Sequence, residues 1–327
     1  MTANLIESNS SDFQEVDVDP VALDIIENAL RNAREEMDAV LFRTAMSPGI
    51  REQHDEFPMI ANREGKMIVG QFGACIHVFL DSYSGDIREG DVFLTNDPYA
   101  CNGAISHSPD WLVIMPIYKD GRVIGWAAMF GHMTDTGGRS PGSMPTDAQQ
   151  IFEEGILIPP TKIYDAGKRN EETLNLILRN CRMPDWNKAD LDALIAGCQL
   201  AGKRVREISE RFGDNVYFSS LKKLLDRTHD AMRQIINTTI PEKKQYFEDY
   251  LDDDGIGMGP YKIACSMWRE DGKLILDFEG TDPQSSSSVN FYCNEEMTKM
   301  HSGVFLIMLA DPQILFNDGF YDLMEVR

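Results

Sequence analysis

No run of about 18 apolar residues occurs in the chain, so nothing in it reads as a transmembrane helix. The N-terminal stretch MTANLIESNSSDFQEVDVDP has neither the basic start nor the apolar core of a secretory signal, and the expected compartment is the cytoplasm. Basic residues are scarce: 31 Lys and Arg stand against 53 Asp and Glu, a net charge of −22. Such a surface repels phosphate backbones and anionic headgroups, which argues against nucleic acid and membranes as partners. The six cysteines are scattered with no CxxC pair, so free thiols are expected and a cysteine-type zinc cluster is excluded. Phosphate-binding loops of the GxxxxGK[ST] and GxGxxG kinds are missing. The acidic LDDDGIGMGP lacks the alternating oxygen ligands of an EF-hand loop.

What remains has a clear organisation. The 327 residues, 43% of them hydrophobic, are ample for a core and for more than one domain. Residues 1–18 read as a flexible acidic tail. The segment from Asp19 to Met46 then reads as a long helix, with Asp19 as cap, Pro20 in the first turn, and an apolar stripe of Ile26, Leu30, Ala33, Met37, Val40 and Leu41. From about 50 to 165 short apolar runs alternate with Gly, Asp and Asn. GKMIVGQF, CIHVFL, DVFLTND, WLVIMPIY and RVIGWAAMF have strand lengths, and Asp120-Gly121 suits a tight hairpin turn. Residues 171 to about 248 return to helical spacing, with Gly213 ending the middle helix. After LDDDGIGMGP, YKIACSMWREDGKLILDFEG reads as a hairpin turning at Asp271-Gly272. The final NDGFYDLMEVR stops in what reads as a strand, which suggests a truncated chain. The expected domains are therefore 19–248, carrying the site, and 249–327, the start of a β-rich unit.

Only six histidines are present, and two of them share a pattern: His107 precedes Asp110 by three residues, and His132 precedes Asp135 by three. Neutral imidazole and carboxylate are the usual ligands of zinc, manganese and iron in Lewis-acid and hydrolytic sites. Pro109 makes the first unit a turn rather than a helix. If WLVIMPIY and RVIGWAAMF form an antiparallel hairpin, both units lie at the same end of it. The plainer reading is two hydrogen-bonded structural histidines in an Asp-rich chain, and spacing alone leaves both open. His77, inside CIHVFL, is either a satisfied core histidine or a further site residue. His54, His229 and His301 have no such company and read as structural. The Gly-rich GRSPGS could hold an anion on backbone N–H groups with Arg139 adding charge, a plain loop being the simpler reading.

Several motifs in order extend this picture. GDVFLTNDPY, the SHSPD turn, LVIMPIYKDGRVIGW, GHMTDTGGRSPGSMP, EEGILIPP, LDFEGTDPQ and FNDGFY together resemble the hydantoinase B/oxoprolinase family, from about residue 20 to the end. The wording of GWAAMFGH and GHMTDTGG is similar to its acetone and acetophenone carboxylase branch. CNGAISHSPD departs from the Gly-Gly-Thr-His-Leu seen in many hydantoinase-like members. Carried over residue by residue, the resemblance implies metal ligation by His107, Asp110 and His132. It implies a role for Asp135 in orienting an imidazole, and site-shaping roles for Asn96, Asp97 and Glu154. With His77, the catalytic candidates are thus Asp135, His77 and Glu154. The resemblance further implies a divalent metal (Zn, Mn or Fe), ATP bound by a hydantoinase A-like partner subunit, further small subunits, and a ketone or cyclic amide as substrate. The expected activity is ATP-dependent ketone carboxylation. Cyclic amide hydrolysis is the alternative, and a non-catalytic scaffold is a third reading. The expected fold is α+β: a long N-terminal helix, a mixed or antiparallel sheet carrying the site on its loops, a helical middle, and the start of a second β-rich segment.

Overall fold

The structure, a computed structural model, describes residues 13–71, 75–290 and 292–327. It has the α+β architecture expected from the sequence. Helix α1 (Pro20–Thr44) begins at Asp19, whose carboxylate accepts from the N–H groups of Val21 and Ala22. Its buried stripe is Leu23, Ile26, Leu30, Ala33, Met37 and Leu41. The short α2 (Pro48–Arg51) leads into β1 (Glu56–Ala61) and β2 (Met67–Gly70). Then come α3 (Cys75–Ser82), β3 (Val92–Thr95), the long hairpin β4 (Asp110–Lys119) and β5 (Arg122–His132), β6 (Thr161–Asp165) and β7 (Lys168–Arg169). These strands make one antiparallel sheet in the order β2-β1-β5-β4-β3-β6-β7.

The β4–β5 hairpin is the centre of that sheet. Its turn residues Asp120 and Gly121 both adopt positive φ, 51° and 75°, as the tight hairpin requires. Both of its faces are covered, which is why its strands read as nearly continuous apolar runs rather than as alternation. Trp111, Val113, Ala127 and Met129 join the core beneath α1 and the helices α5 (Pro184–Phe212) and α6 (Asp214–Thr239). Leu112, Ile114, Ala128 and Phe130 face the other way, onto α3. Between sheet and helices lies α4 (Glu171–Arg179), capped by Asn170.

A second sheet, β11-β10-β9-β8, is built from β8 (Gln245–Leu251), β9 (Tyr261–Glu270), β10 (Lys273–Asp277) and β11 (Met324–Val326), with helix α7 (Glu295–Ala310) beside it. Its core takes Met232, Ile235 and Ile236 from the end of α6 together with Leu274, Ile307 and Phe320. The expected hairpin is β9–β10, with Asp271 and Gly272 at positive φ.

Three details differ from expectation. CIHVFL is the helix α3, not a strand: five apolar residues around one histidine fit either period, and here Cys75, Ile76, Val78, Phe79 and Leu80 form a buried face with His77 and Asp81 outside it. The helical middle ends at Thr239, and Gln245–Leu251 is strand. Of the acidic tail, residues 1–12 lie outside the described residues. Residues 13–18 lie along α6 instead, with Glu15 and Asp17 paired to Lys222 and Lys223. Phe72, at the end of GKMIVGQF, also lies outside. No helix among the described residues is long and apolar enough to cross a membrane.

Candidate metal centre

Strand register places the two His-x-x-Asp units together. Asp110 opens β4 and His132 closes β5, and the two are directly paired across the hairpin. The turn before β4 closes with Asp110 N donating to His107 O at 3.3 Å. His107 Nε2 then lies 3.0 Å and His132 Nδ1 3.1 Å from the same oxygen, Asp110 Oδ1. The ring centroids are 5.1 Å apart and nearly perpendicular, at 86°. Among the described residues this is the one group of three or more His, Cys, Asp or Glu whose ligand atoms lie within 4.8 Å of one another.

His132 Nδ1 is within hydrogen-bond geometry of Asp110 Oδ1, and the same spacing also suits a shared cation. Two ligand atoms sharing an ion through bonds of ~2.1 Å stand roughly 3.0–3.4 Å apart, which matches the spacing here. His107 Nε2 is buried and, despite its closeness to Asp110, lies off the angle a hydrogen bond needs. The electrostatics are strongly coupled. Burial alone would raise the Asp110 carboxyl, but the two rings outweigh it and hold it below the usual carboxylate range. Burial alone would lower His107, but the Asp110 carboxylate outweighs it and holds the ring above the usual imidazole range. A cation in the same place needs both rings neutral.

Around this triad, Asp55 Oδ2 stands 3.6 Å from His132 Nδ1, and the His132 N–H donates to Asp55 O at 3.0 Å. Sequence reasoning missed Asp55, because a lone Asp before a strand has no spacing to single it out. Glu154 is half-buried on the His107 side: burial raises its carboxyl, and the His107 ring partly offsets that. Asn96 is fully buried and donates to the carbonyls of Ser108 and Ile156. Asp97 caps the following turn through the N–H groups of Tyr99 and Ala100.

Two expected site residues go elsewhere. Asp135 orients no ring: its carboxylate accepts from the N–H groups of Gly137, Gly142 and Arg182 and from the Arg182 guanidinium. These donors outweigh burial and hold it below the usual carboxylate range. The glycine-rich loop does cradle an anion, but the anion is the chain's own Asp135. Arg139 is spent on Asp147 and Glu153. Arg182, unmarked in the sequence, anchors the loop through the carbonyls of Gly137, Gly138 and Ser140 as well. His77 sits on α3 with Nε2 2.6 Å from Glu296 Oε2 on α7, in a cavity of about 700 Å³ that Asp318 and Tyr321 also line. The remaining histidines have structural contacts. His54 stacks on Phe42, His229 lies 3.4 Å from Asp322, and His301 Nδ1 is 2.7 Å from Met297 O.

Comparison with known proteins gives the family of the chain. The family profile described as hydantoinase B/oxoprolinase matches residues 19–327. The caprolactamase subunit beta of Pseudomonas jessenii is 28% identical over 318 residues, covering 94% of this chain and 54% of that protein. The acetophenone carboxylase delta subunit of Aromatoleum aromaticum is 28% identical over 247 residues, covering 72% of this chain and 36% of its own. The crystal structure of the ATP-dependent caprolactamase from Pseudomonas jessenii superposes with a TM-score of 0.87 at 27% identity, over 95% of this chain and 54% of that one. A nucleotide-free acetone carboxylase structure gives 0.86 at 21% identity, over 94% and 43%, and speaks to the fold alone. The chain spans from about a quarter to just over half of the length of the curated relatives it matches.

Proposed function

This chain belongs to the hydantoinase B/oxoprolinase family, and from that premise we propose that it forms the metal-binding catalytic part of an ATP-dependent enzyme acting on a carbonyl, with a ketone carboxylase as the leading reading. The observation that carries the proposal is the convergence of His107 Nε2 and His132 Nδ1 on Asp110 Oδ1. His107, Asp110 and His132 would hold a divalent cation (zinc, manganese or iron), which when bound supplies Lewis acidity at a carbonyl oxygen where negative charge develops.

The chain's own residues do the rest. Asp110 fixes both rings and supplies the negative charge of the ligand set. Asp55 Oδ2 stands 3.6 Å from the same His132 Nδ1 and would add negative charge beside the cation. Glu154, whose carboxyl burial raises above the usual range, would in its ionised form take a proton from the carbon beside a ketone, or from water, and return it. ATP would be bound by a partner, a hydantoinase A-like subunit, in keeping with a sequence that carries no phosphate-binding loop of a standard kind. The words "subunit beta" and "delta subunit" in the relatives' names support a multisubunit assembly.

Cyclic amide hydrolysis is the second reading, favoured by the caprolactamase similarity, which spans more of the chain than the acetophenone carboxylase one. One experiment separates them: the full complex is incubated with ATP, labelled bicarbonate, and either acetone and acetophenone or hydantoin, 5-oxoproline and caprolactam. Label in an acid product supports carboxylation; ring opening without label transfers the proposal to hydrolysis. Neither reaction, in a protein that binds no transition metal, would leave a scaffold.

A further inference from the structure

We propose that Asn96 is the positioning residue that sets the His107 turn against the segment bearing Glu154, an inference that rests on the metal reading of His107. Asn96 directly follows β3 and is 0% exposed. Its side chain donates from Nδ2 to Ser108 O at 2.6 Å and to Ile156 O at 2.9 Å, and accepts at Oδ1 from Ile158 N at 2.7 Å. Its backbone N–H donates to Ile158 O at 3.1 Å. One amide therefore joins three segments: the end of β3, the turn whose Ser108 sits between His107 and Pro109, and residues 156–158 just beyond Glu154.

The surroundings leave no slack for another arrangement. Ser108 is also 0% exposed, and its Oγ donates to Glu154 O at 3.2 Å. Opposite it, a Cβ on Gly155 would lie 2.4 Å from Thr136 Oγ1 and 3.1 Å from Ser108 Oγ. Where Asn96 and Ser108 are both fully buried, two carbonyls facing one side chain call for two donors, and the Ile158 N–H calls for one acceptor. Of the side chains of this size only an amide supplies that set. An Asp in its place is nearly isosteric, yet it turns an acceptor on the Ser108 and Ile156 carbonyls.

The test uses the full chain and two readouts. In the metal-free protein, N96D shifts the His107 imidazole resonances in NMR spectra, while I163A, which removes buried volume from the neighbouring β6, lowers Tm and leaves them in place. On titration with Co2+, N96D binds roughly 10–100-fold more weakly than the parent, with altered visible bands, whereas I163A retains the parent spectrum. Should N96D fail to fold, N96S, which keeps one hydroxyl donor, carries the same expectations at smaller size. Unchanged His107 resonances in the variants overturn the positioning role. A parent protein that binds no Co2+ overturns the metal reading and leaves the NMR result to decide the clamp.

Discussion

At the scale of the residue, the proposed centre brings two imidazoles of different origin to one carboxylate oxygen. Asp110 is the pivot: both rings lie about hydrogen-bond distance from its Oδ1, at 3.0 and 3.1 Å. H107A and H132A are each expected to drop bound zinc or manganese to below about a tenth of an equivalent per chain, since a site with three protein ligands tolerates no such loss. Elemental analysis of the purified variants checks this. Their circular dichroism should match the parent, because neither ring is part of a hydrophobic core. Type and spacing singled these residues out, and the family resemblance is what implies their part as ligands. Asp55 was not, and Asp135 was misassigned, because a carboxylate three residues from a histidine says nothing about which donors will reach it. Here the backbone N–H groups of its own loop and Arg182 reach it first.

At the scale of the element, local signals and tertiary packing divide the work. The first helix was readable to within a residue or two: Asp19 caps it, Pro20 starts it, and its stripe repeats at helical spacing. D19A, which leaves the N–H groups of Val21 and Ala22 without that acceptor, should cost ~1 kcal/mol. I26A, at a position 0% exposed beneath the sheet, should cost about 2–5 kcal/mol. Thermal denaturation of the two variants side by side tests the ordering, and D19A being the more damaging would contradict it. The β4–β5 hairpin was equally readable, from its Asp-Gly turn and its two apolar runs. CIHVFL was not: five apolar residues around one histidine fit either period, and burial against Phe93 and Trp126 decided for a helix.

At the scale of the whole molecule, the two sheets are joined through buried polar contacts as well as apolar ones. Asp318, in the single 3-10 turn between α7 and β11, accepts the Met67 N–H of β2 at 2.7 Å. Burial raises its carboxyl from the ordinary range to about 6. The unfolded chain releases that proton near pH 4, so the contribution to stability is fully present below about pH 4 and is lost as pH rises through 6. D318N removes that dependence. Parent and variant should differ little in slope below pH 4, and between pH 4 and 7 the parent should lose on the order of 1–3 kcal/mol relative to the variant. Urea titrations at several pH values measure it; parallel curves over that range would refute it.

The amino-acid sequence by itself determined the class of the fold, the capped first helix, the central hairpin and the nearness of His107, Asp110 and His132 at one end of it, since each follows from short-range periodicity, turn chemistry and the register of one hairpin. Only the tertiary structure decided that Asp55 faces His132, that Asp135 closes its own loop, and that His77 turns away to Glu296. Those outcomes depend on which donors and acceptors arrive from distant segments once water is excluded, and that competition leaves no trace in local spacing.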